Sequence, residues 1–327
     1  MRLTYSNGSE TRDITAYTGS YERSDNLSAL GQTFTFSLLS NPADALADGR
    51  ELELGGKIVF SRNGSTPFAG VIVSVDRSAL HEFNYTAFDY AFYLNKSEVF
   101  IQFNNITTTD ALKRLCAENN IPVGAIADIP TKVSKIYKGQ TISDVMRDLL
   151  KMATADTKTE YRFEVREDKL YIEKYVDLVV EMVYKPAGNV GAFNPAELIG
   201  SFSESRSIEE LKNKVLVVGS SEKNQQIFAT EEDTESQKRF GTLQKVETVD
   251  DKNEAQARNI AKNTLATLNK ETRTFSVTLF GDDRVRAGRT IIFNSPSIGL
   301  VGRARVKSCR HSYESEYQHT MSLELEV

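Results

Sequence analysis

The chain has 327 residues, which is enough for two or three domains with buried cores. Hydrophobic residues make up 40% of it and charged residues 26%, proportions that exclude a disordered or collagen-like chain. The formal net charge of -5 argues against a dedicated nucleic-acid binder, but it leaves a local basic patch open.

Two further features of the composition concern the compartment. No run approaches 18 apolar residues and the first residues lack an apolar signal core, so we expect neither a membrane-spanning helix nor ordinary secretion. Two cysteines, Cys116 and Cys309, are too few for a disulfide framework or for a zinc site built on cysteines. We therefore expect the chain to fold in a reducing cytoplasm.

Short alternating segments predict that the first hundred residues form strands. Residues 34–38 alternate apolar and polar side chains, which is the period of a half-buried strand. Asn63-Gly64 is a hairpin-turn signal between the apolar runs at 57–60 and 71–75. Closely spaced strands of this kind are typical of a small β-barrel or sandwich.

The character of the sequence changes over residues 101–155, where two segments have helical periodicity. Residues 109–116 and 141–150 each place their apolar side chains on one face, and they match each other at an offset of 34 residues. Thr141 with Asp144 fits a helix-start capping pair. We predict a small α/β module with two similar helices, followed by strands between residues 160 and 184.

The last third returns to strands, with one clear helix. Residues 214–219 predict a buried strand, and the polar stretch 221–241 predicts a long loop or a hairpin tip. A helix is predicted over 251–269, with Asp251 and Glu254 as its capping pair. Its apolar stripe consists of Ala257, Ile260, Ala261, Leu265 and Leu268.

The two β-rich regions resemble each other. The pair Gly56 and Gly288 and the pair Gly70 and Gly302 are both separated by 232 residues, and each first glycine precedes a basic residue and aliphatic residues. Residues 34–38 have a counterpart at 275–279. Convergent β-patterning explains alternation better than it explains a fixed spacing, so we predict that one barrel has been duplicated.

Several motifs in the second β region resemble those of a known group of proteins. A Gly-Asp turn at 281–282 precedes Ala-Gly and an aliphatic strand, and a strand beginning at Gly302 ends in Ser-x-x-His at 308–311. A Thr-Met-x-Leu-x-Leu strand follows at 320–325, and residues 70–75 and 87–90 match in the first half. The pattern resembles the baseplate hub proteins of contractile phage tails and phage-tail-like bacteriocins, the XkdQ/YqbQ-like group of the late control protein D superfamily.

The resemblance covers nearly the whole chain and implies a mixed β fold with an α/β insert. It implies two tube-like β-barrel domains related by duplication, at 1–100 and 185–327, the second of which includes helix 251–269. A small α/β module with a LysM-like segment would occupy 101–184. LysM modules bind peptidoglycan, and Gln140 replaces the usual Asp of their motif within residues 136–142. We expect this segment to be a scaffold, with retained sugar binding as the alternative.

The function implied by the resemblance is that of a structural hub. A homotrimer would adapt a trimeric spike to the hexameric tail tube, because three chains with two barrels each supply six docking surfaces. The implied partners are the tail tube protein, the central spike protein and neighbouring baseplate proteins, without a membrane, and DNA passage through the lumen is allowed. The protein would be made in a bacterial cytoplasm and assembled into the baseplate of a phage or tail-like particle.

Basic residues concentrate near the end of the chain and are the candidate subunit or partner interface. Arg303, Arg305 and Lys307 alternate along one predicted strand, opposite Ala304, Val306 and Ser308. Arg284 and Arg286 precede them. Two other interpretations stay open, namely a solvated barrel face and a lumen lining past which DNA slides.

We expect no catalytic, cofactor or metal site. His311 and His319 could meet on neighbouring strands, but two ligands do not make a metal site. Cys309 and His311 would share a strand face without an anion hole that we can place. No Gly-rich phosphate loop is present, and sequence spacing selects no carboxylate pair for glycoside hydrolysis. The alternative function is a cell-wall-binding or peptidoglycan-hydrolysing tail protein.

Overall fold

A computed structural model gives the fold, which is built mainly from antiparallel strands. It describes residues 1–40, 51–79, 81–183, 189–197, 199–219, 226–249, 254–315 and 318–327. The helices in this part of the chain are α1 Ala91–Lys96, α2 Thr108–Glu118, α3 Ile142–Thr157, α4 Thr234–Phe240 and α5 Glu254–Leu268. None of these helices has the length and apolar character needed to cross a membrane.

The strands of the described residues are numbered β1 to β21 in chain order. The first ten are β1 Arg2–Ser6, β2 Thr11–Asp13, β3 Thr18–Asn26, β4 Gln32–Leu39, β5 Lys57–Arg62, β6 Ser65–Ala79, β7 Glu82–Asp89, β8 Glu98–Thr107, β9 Val123–Ile126 and β10 Lys132–Thr141. The others are β11 Tyr161–Arg166, β12 Lys169–Lys174, β13 Val179–Val180, β14 Ser201–Ser207, β15 Lys214–Gly219, β16 Ile227–Glu232, β17 Gln244–Val249, β18 Thr272–Phe280, β19 Thr290–Ser295, β20 Leu300–Tyr313 and β21 His319–Glu326.

The chain divides into two compact units. The larger unit contains residues 1–202 and 276–325, and the smaller unit contains residues 203–275. Among the described residues, one sheet of 13 strands runs in the order β14-β18-β21-β20-β3-β4-β7-β6-β5-β1-β2, and β19 joins β20 to β13. Strands from the beginning and the end of the chain are therefore neighbours, because β20 pairs with β3. The fold is mostly β-sheet with few helices, as predicted.

The alternation at residues 34–38 does form a half-buried strand, β4. Phe34, Phe36 and Leu38 are buried, and the intervening residues are half-buried. The predicted hairpin turn at Asn63-Gly64 joins β5 to β6. Both turn residues have positive φ, 50° at Asn63 and 75° at Gly64, a backbone region that Asn and Gly tolerate better than other residues.

The register of the similarity between the β regions differs by one residue from the sequence alignment. Gly55, rather than Gly56, corresponds to Gly288, because both have positive φ near 80° and both donate an amide hydrogen bond to the following long strand. The buried pair Ile58 and Phe60 then matches Ile291 and Phe293. A one-residue slip exchanges the two faces of a strand, so the sequence offset of 232 would have matched buried with exposed positions.

Gly70 and Gly302 are likewise not equivalent positions. A Cβ at Gly70 would lie 2.1 Å from the carbonyl oxygen of Phe88, whereas at Gly302, whose φ is +103°, it would meet open space. Gly70 is thus required by a close approach between strands, and Gly302 by its backbone conformation.

The α/β module contains two copies of a strand followed by a helix. β8 leads into α2 and β10 into α3, and the two strands pair antiparallel. Thr107 and Thr141 are the N-caps, with the same φ and ψ of -67° and 153°, and each hydroxyl accepts from the amide of an Asp three residues later. This confirms the predicted capping pair of Thr141 and Asp144. The apolar faces of both helices are buried in one core with β11 and β12.

The smaller unit contains a second sheet, in the order β16-β15-β17, covered by α5. Val215 and Val217 of β15 pack against Ala257 and Ala261 of α5. The predicted buried strand at 214–219 is therefore confirmed, as is the apolar stripe of the helix at Ala257, Ile260, Ala261 and Leu265. Asp251 lies outside the described residues.

The prediction of a loop or hairpin tip over 221–241 is wrong for its described part. Residues 227–232 form β16, which pairs with β15, and residues 234–240 form α4. Asp233 caps α4 by accepting from the amides of Glu235 and Ser236. The polarity of the segment was misleading because β16 is an edge strand of the smaller sheet and α4 buries none of its residues.

The two caps of the module predict equal effects on stability. We expect Thr107→Ala and Thr141→Ala each to lower the free energy of unfolding by about 1 kcal/mol, because each removes the acceptor of a helix-end amide. Urea denaturation measures the effect. Lys113→Ala on the exposed face of α2 is the control and should change stability little. A loss at only one cap would contradict the equivalence of the two strand-helix units.

Candidate functional site

The predicted basic strand lies on β20, next to the pairing between the two β regions. Arg303 and Lys307 are exposed and Arg305 is half-buried, whereas Ala304 and Val306 are buried on the other face. Ser308 does not continue the buried face, because the next buried residue after Val306 is Cys309. The alternation therefore shifts by one residue within β20, after the last of the three basic side chains.

Two of these basic side chains have acidic partners within the chain. Arg305 forms an ion pair of 2.7 Å with Glu160, and its guanidinium lies over the ring of Tyr175. Lys307 forms an ion pair of 2.9 Å with Glu324 on β21. Exposed pairs of this kind contribute about 0.2–1 kcal/mol each, so they remain available for exchange with an external acidic surface.

The two predicted arginines between β18 and β19 differ from each other. Arg284 is exposed and pairs with Asp282 at 2.6 Å. Arg286 is buried, and its guanidinium lies 3.3 Å from Asp25 and 3.7 Å from Asp89. Arg286 forms its ion pairs inside the chain, and we therefore leave it out of the candidate contact surface.

Arg286 belongs to what we call the central ionic cluster, formed by Asp25, Asp89, Glu164, Arg286 and Arg289. All five side chains are buried. Arg289 forms a two-bond pair with Glu164, and Arg286 also donates to the carbonyl oxygen of Val165 at 3.0 Å. The cluster thus joins β3 and β7 of the first β region, β11 of the module and the segment before β19.

The arginines are distributed unevenly around the carboxyl groups of this cluster, and the pKa values of Glu164 and Asp89 differ as a result. Burial disfavours the Glu164 carboxylate, but Arg286 and Arg289 outweigh it and hold the pKa of Glu164 below its ordinary value. Burial raises the pKa of Asp89 to about 7 despite the opposing charge of Arg286. Glu164 is also paired with Arg162 at 3.5 Å and with Arg166 at 2.5 Å, so the cations concentrate around Glu164, whereas Asp89 lies 3.7 Å from Arg286.

A second buried group, which we call the histidine cluster, lies where β20 meets β3. It consists of Arg23, Arg62, Asp283, His311, Tyr313 and His319. Arg62 pairs with Asp283 at 2.8 Å, and the Tyr313 hydroxyl donates to the same carboxylate at 2.9 Å. Arg23 donates to the carbonyl oxygens of Pro67 and Asp283.

The two histidines meet, as the sequence suggested. His311 Nδ1 lies 2.9 Å from His319 Nε2, and His311 Nε2 lies 2.9 Å from the carbonyl oxygen of Val285. A carbonyl oxygen only accepts, so His311 Nε2 carries the proton, and His311 Nδ1 accepts from His319 Nε2. His319 Nδ1 is then free to accept from Arg62 at 3.3 Å. This chain of bonds requires both imidazoles to be neutral.

Burial also favours the neutral form of both imidazoles, because it lowers the pKa values of His311 and His319. Burial, with a contribution from the charge of Arg62, lowers the pKa of His319 to about 3, although Asp283 opposes the shift. Burial and the charge of Arg23 lower the pKa of His311 as well. In the described residues no group of three or more His, Cys, Asp or Glu side chains could hold a metal ion.

The thiols of Cys116 and Cys309 are both buried, where they pack against their neighbours. Cys309 shares a strand face with His311, but both point to the carbonyl oxygen of Val285, the sulfur at 3.9 Å. Burial raises the pKa values of Cys309 and Cys116 to about 12, so neither forms the thiolate that a nucleophile requires.

The LysM-like segment ends β10 and begins α3. Tyr137 is buried and its hydroxyl donates to Asp148 of α3 at 2.6 Å, which fastens the strand to the helix. Ile136 is 58% exposed, and Lys138 and Gln140 are also exposed. Each of the key residues of the segment is thus explained by the strand-helix junction or lies open to solvent.

Sequence reasoning missed the two buried clusters almost entirely. Tyr21, Arg23 and Asp25 occupy alternate positions on the buried face of β3. Two charged residues therefore stand where apolar side chains are expected. That alternation is a usable signal of buried charge. It does not reveal the partners, because Arg286 is 261 residues from Asp25.

The fold defined by these elements is that of phage tail proteins. The 43 kDa tail protein of prophage MuSo2 from Shewanella oneidensis superposes with a TM-score of 0.71 over 99% of this chain and 98% of that chain, at 13% identity. The model of the YqbQ-like family matches residues 22–326, and the chain belongs to this family. The resemblance drawn from the sequence motifs is thereby confirmed.

Two relatives come from Bacillus subtilis strain 168. The chain is 26% identical to YqbQ over 277 residues, which are 83% of this chain and 81% of YqbQ. It is 24% identical to XkdQ of the phage-like element PBSX, with the same shares of the two chains covered.

The central ionic cluster predicts a large stability effect at one position. We expect Arg286→Met to lower the free energy of unfolding by about 3–5 kcal/mol, because it leaves buried carboxyl groups without their cation. Arg303→Met, on the exposed part of β20, is the matched control and should cost under about 0.5 kcal/mol. Urea denaturation of both variants compares them, and equal losses would contradict the role of Arg286.

The histidine cluster predicts a dependence of stability on pH. Between pH 6.5 and pH 3 an unfolded histidine is protonated while native His319 stays neutral, so the unfolded state binds more protons and stability falls as the pH falls. From pH 7 to pH 4.5 we expect wild type to lose about 2–3 kcal/mol more than His319→Gln.

Titrating groups that do not interact with His319 are common to the two proteins and cancel in this comparison. Urea unfolding at each pH gives the two curves, and parallel curves would show that His319 is not the group responsible.

Proposed function

We propose that the chain is the structural hub of a contractile tail baseplate, acting as a homotrimer that adapts a trimeric spike to the hexameric tail tube. The observation that carries the proposal is a repeated strand order. The neighbours β3-β4-β7-β6-β5 recur in the same relation as β14-β18-β21-β20-β19. Two similar sheets in one chain are what a three-fold ring needs to present six similar surfaces.

Matching positions support a duplication behind this order. Phe34 and Phe36 of β4 are buried, as are Phe275 and Val277 of β18. In each half a positive-φ glycine, Gly55 or Gly288, donates to the middle of the next long strand. The amide of Ile72 in turn donates to the carbonyl oxygen of Gly56, and that of Val306 to the carbonyl oxygen of Arg289. One structural unit used twice explains these coincidences together.

Within this proposal the predicted domains have distinct roles. The β regions at 1–100 and 185–327 are tube-like barrels that contact the tail tube protein, and the module at 101–184 is a scaffold between them. Within the larger unit, the central ionic cluster joins β3, β7 and β11 to the segment before β19. Exposed Arg303, Lys307 and Arg284, together with half-buried Arg305, form a contact surface for a neighbouring subunit, the central spike protein or another baseplate protein. Assembly takes place in the particle after synthesis in a bacterial cytoplasm.

The hub carries out no chemistry in this proposal, and its LysM-like segment has no sugar-binding role. In support, His311 and His319 are neutral, Cys116 and Cys309 are protonated, and the charged groups of the central ionic cluster form ion pairs with one another. The competing function is binding or hydrolysis of peptidoglycan. Incubation of the pure chain with isolated sacculi distinguishes the two functions. If the chain is a structural hub, we expect that it does not sediment with the sacculi and releases no soluble muropeptides. Release of muropeptides that is lost on substitution of one carboxylate would overturn the proposal.

Subunit stoichiometry in an assembled baseplate tests the hub itself. We expect three copies around the axis by electron cryo-microscopy or native mass spectrometry, because one copy offers two barrels and six copies offer twelve. The isolated chain is not decisive, since the tube and the spike supply binding free energy that shifts the assembly equilibrium. Any copy number other than three would defeat the proposal.

A further inference from the structure

A cavity of about 550 Å³ lies in the larger unit, and the proposed hub function gives it no role. Its walls come from β3, the start of β4, the turn between β5 and β6, strands β11 to β13 and residues 283–289. Pockets that bind small organic molecules have volumes of about 300–1,000 Å³. The cavity is therefore large enough to hold a ligand of that size.

Arg23 of β3 brings a buried positive charge to this cavity. Its side chain is 1% exposed, and its terminal nitrogens donate to the carbonyl oxygens of Pro67 and Asp283 at 2.9 and 3.0 Å. Within the described part of the chain its Nε has no acceptor and its guanidinium forms no ion pair. A buried charge without a counter-charge is unfavourable, so an anion in the cavity would stabilise this guanidinium.

Gln32, at the start of β4, supplies a second unpaired donor. It also lines the cavity and is buried, and its Nε2 has no acceptor among the described residues. Its backbone amide donates to Asp89 at 2.9 Å, which holds the residue in place. The terminal amide of a glutamine turns about a broad torsion, so its N–H groups can face the cavity without a movement of the backbone. Arg23 and Gln32 therefore both require a ligand that accepts hydrogen bonds.

The charge balance of the cavity selects the kind of anion. The other guanidinium groups of its lining form ion pairs within the chain, namely those of Arg166, Arg284, Arg286 and Arg289. The buried carboxyl group of Asp89 accepts from the amides of Gln32 and Ala91, and that of Asp283 pairs with Arg62. The charge of Arg23 is thus the one left for an occupant. A carboxylate carries one negative charge and matches it, whereas a phosphate group carries about 1.5–2 near neutral pH.

The remaining walls indicate what is attached to the carboxylate. Apolar side chains from three segments line the cavity, namely Pro67, Ala69, Val165, Leu178, Val179 and Val180. Exposed Glu167 and Asp177 also belong to the lining and repel further negative charge. An acidic peptide with several carboxylates is therefore a poorer occupant than a small molecule with one carboxylate and an apolar body.

We propose that this cavity is a binding site for a small monocarboxylic acid. The carboxylate of the ligand accepts hydrogen bonds from Arg23 and Gln32, and its apolar body packs against the side chains of the β5–β6 turn, β11 and β13. The site adds a ligand to the chain and does not depend on how many copies a baseplate contains.

Isothermal titration calorimetry of the purified full chain with hexanoate tests the site. Hexanamide, which has a similar shape and no charge, is the matched probe. We expect hexanoate to bind at least about tenfold more tightly than hexanamide, because hydrogen bonds between two charged groups are about twice as strong as those between neutral groups. Equal affinities for the two probes, or no binding of hexanoate, would overturn the proposal.

The variant Gln32→Met keeps the length of the side chain and removes its amide. We expect it to bind hexanoate about tenfold more weakly without a loss of stability, because the unpaired buried N–H groups are removed with the amide. Gln102→Met, on the exposed face of β8, is the matched control and should bind hexanoate as the wild type does. Urea denaturation checks that both variants fold, and an unchanged affinity of folded Gln32→Met would contradict the assigned donor.

Nuclear magnetic resonance of the unmodified chain is an independent measurement of the cation. The Nε–H signal of Arg23, identified by its absence from Arg23→Lys, should move downfield on saturation with hexanoate, because that group gains a charged acceptor. Hexanamide should shift the same signal much less. A signal that hexanoate leaves in place would show that Arg23 does not bind the carboxylate and would overturn the proposal. The hub proposal is tested by copy number and stands or falls separately.

Discussion

The buried guanidinium of Arg286 is the interaction on which the arrangement of the larger unit depends. It lies among Asp25, Asp89 and Glu164, which come from the first β region and the module. A cation taken out of water needs its counter-charges at short range, so these segments can pack only in the arrangement that supplies them. Apolar side chains alone would tolerate small relative shifts between the same segments. The charges thus contribute a defined geometry more than they contribute net stability.

The histidine cluster solves a similar problem of burial in a different way. Here a relay of hydrogen bonds runs from the Arg62 guanidinium through the neutral imidazoles of His319 and His311 to a backbone carbonyl. The relay lies under the joint of β20 and β3, where an apolar core would leave the direction of pairing unspecified. The central ionic cluster and the histidine cluster together fix the joint at which β20 and β3 become neighbours in a single sheet.

Sequence reasoning predicted the features that depend on interactions between residues close in sequence. Strand β4, the turn at Asn63-Gly64 and the cap at Thr141 were predictable because their causes lie within a few residues. The burial of Arg286 was not, since its partner Asp25 is 261 residues away. The alignment of the two β regions failed by one residue because Gly56 looks like Gly288 in sequence, while positive φ belongs to Gly55. The polar residues of β16 and α4 concealed regular structure, since neither element needs an apolar face on both sides.

The joint between β3 and β20 also sets the order in which the chain can fold during synthesis. β3 leaves the ribosome before its partner β20, and Arg23 waits for Asp283, which is 260 residues further on. The strand-helix units of the module close over short distances and can form early, but contacts of such long separation form late. Until β20 is made, the nascent chain therefore carries a strand with one unpaired edge and a buried-type arginine, and in this interval it is most exposed to aggregation.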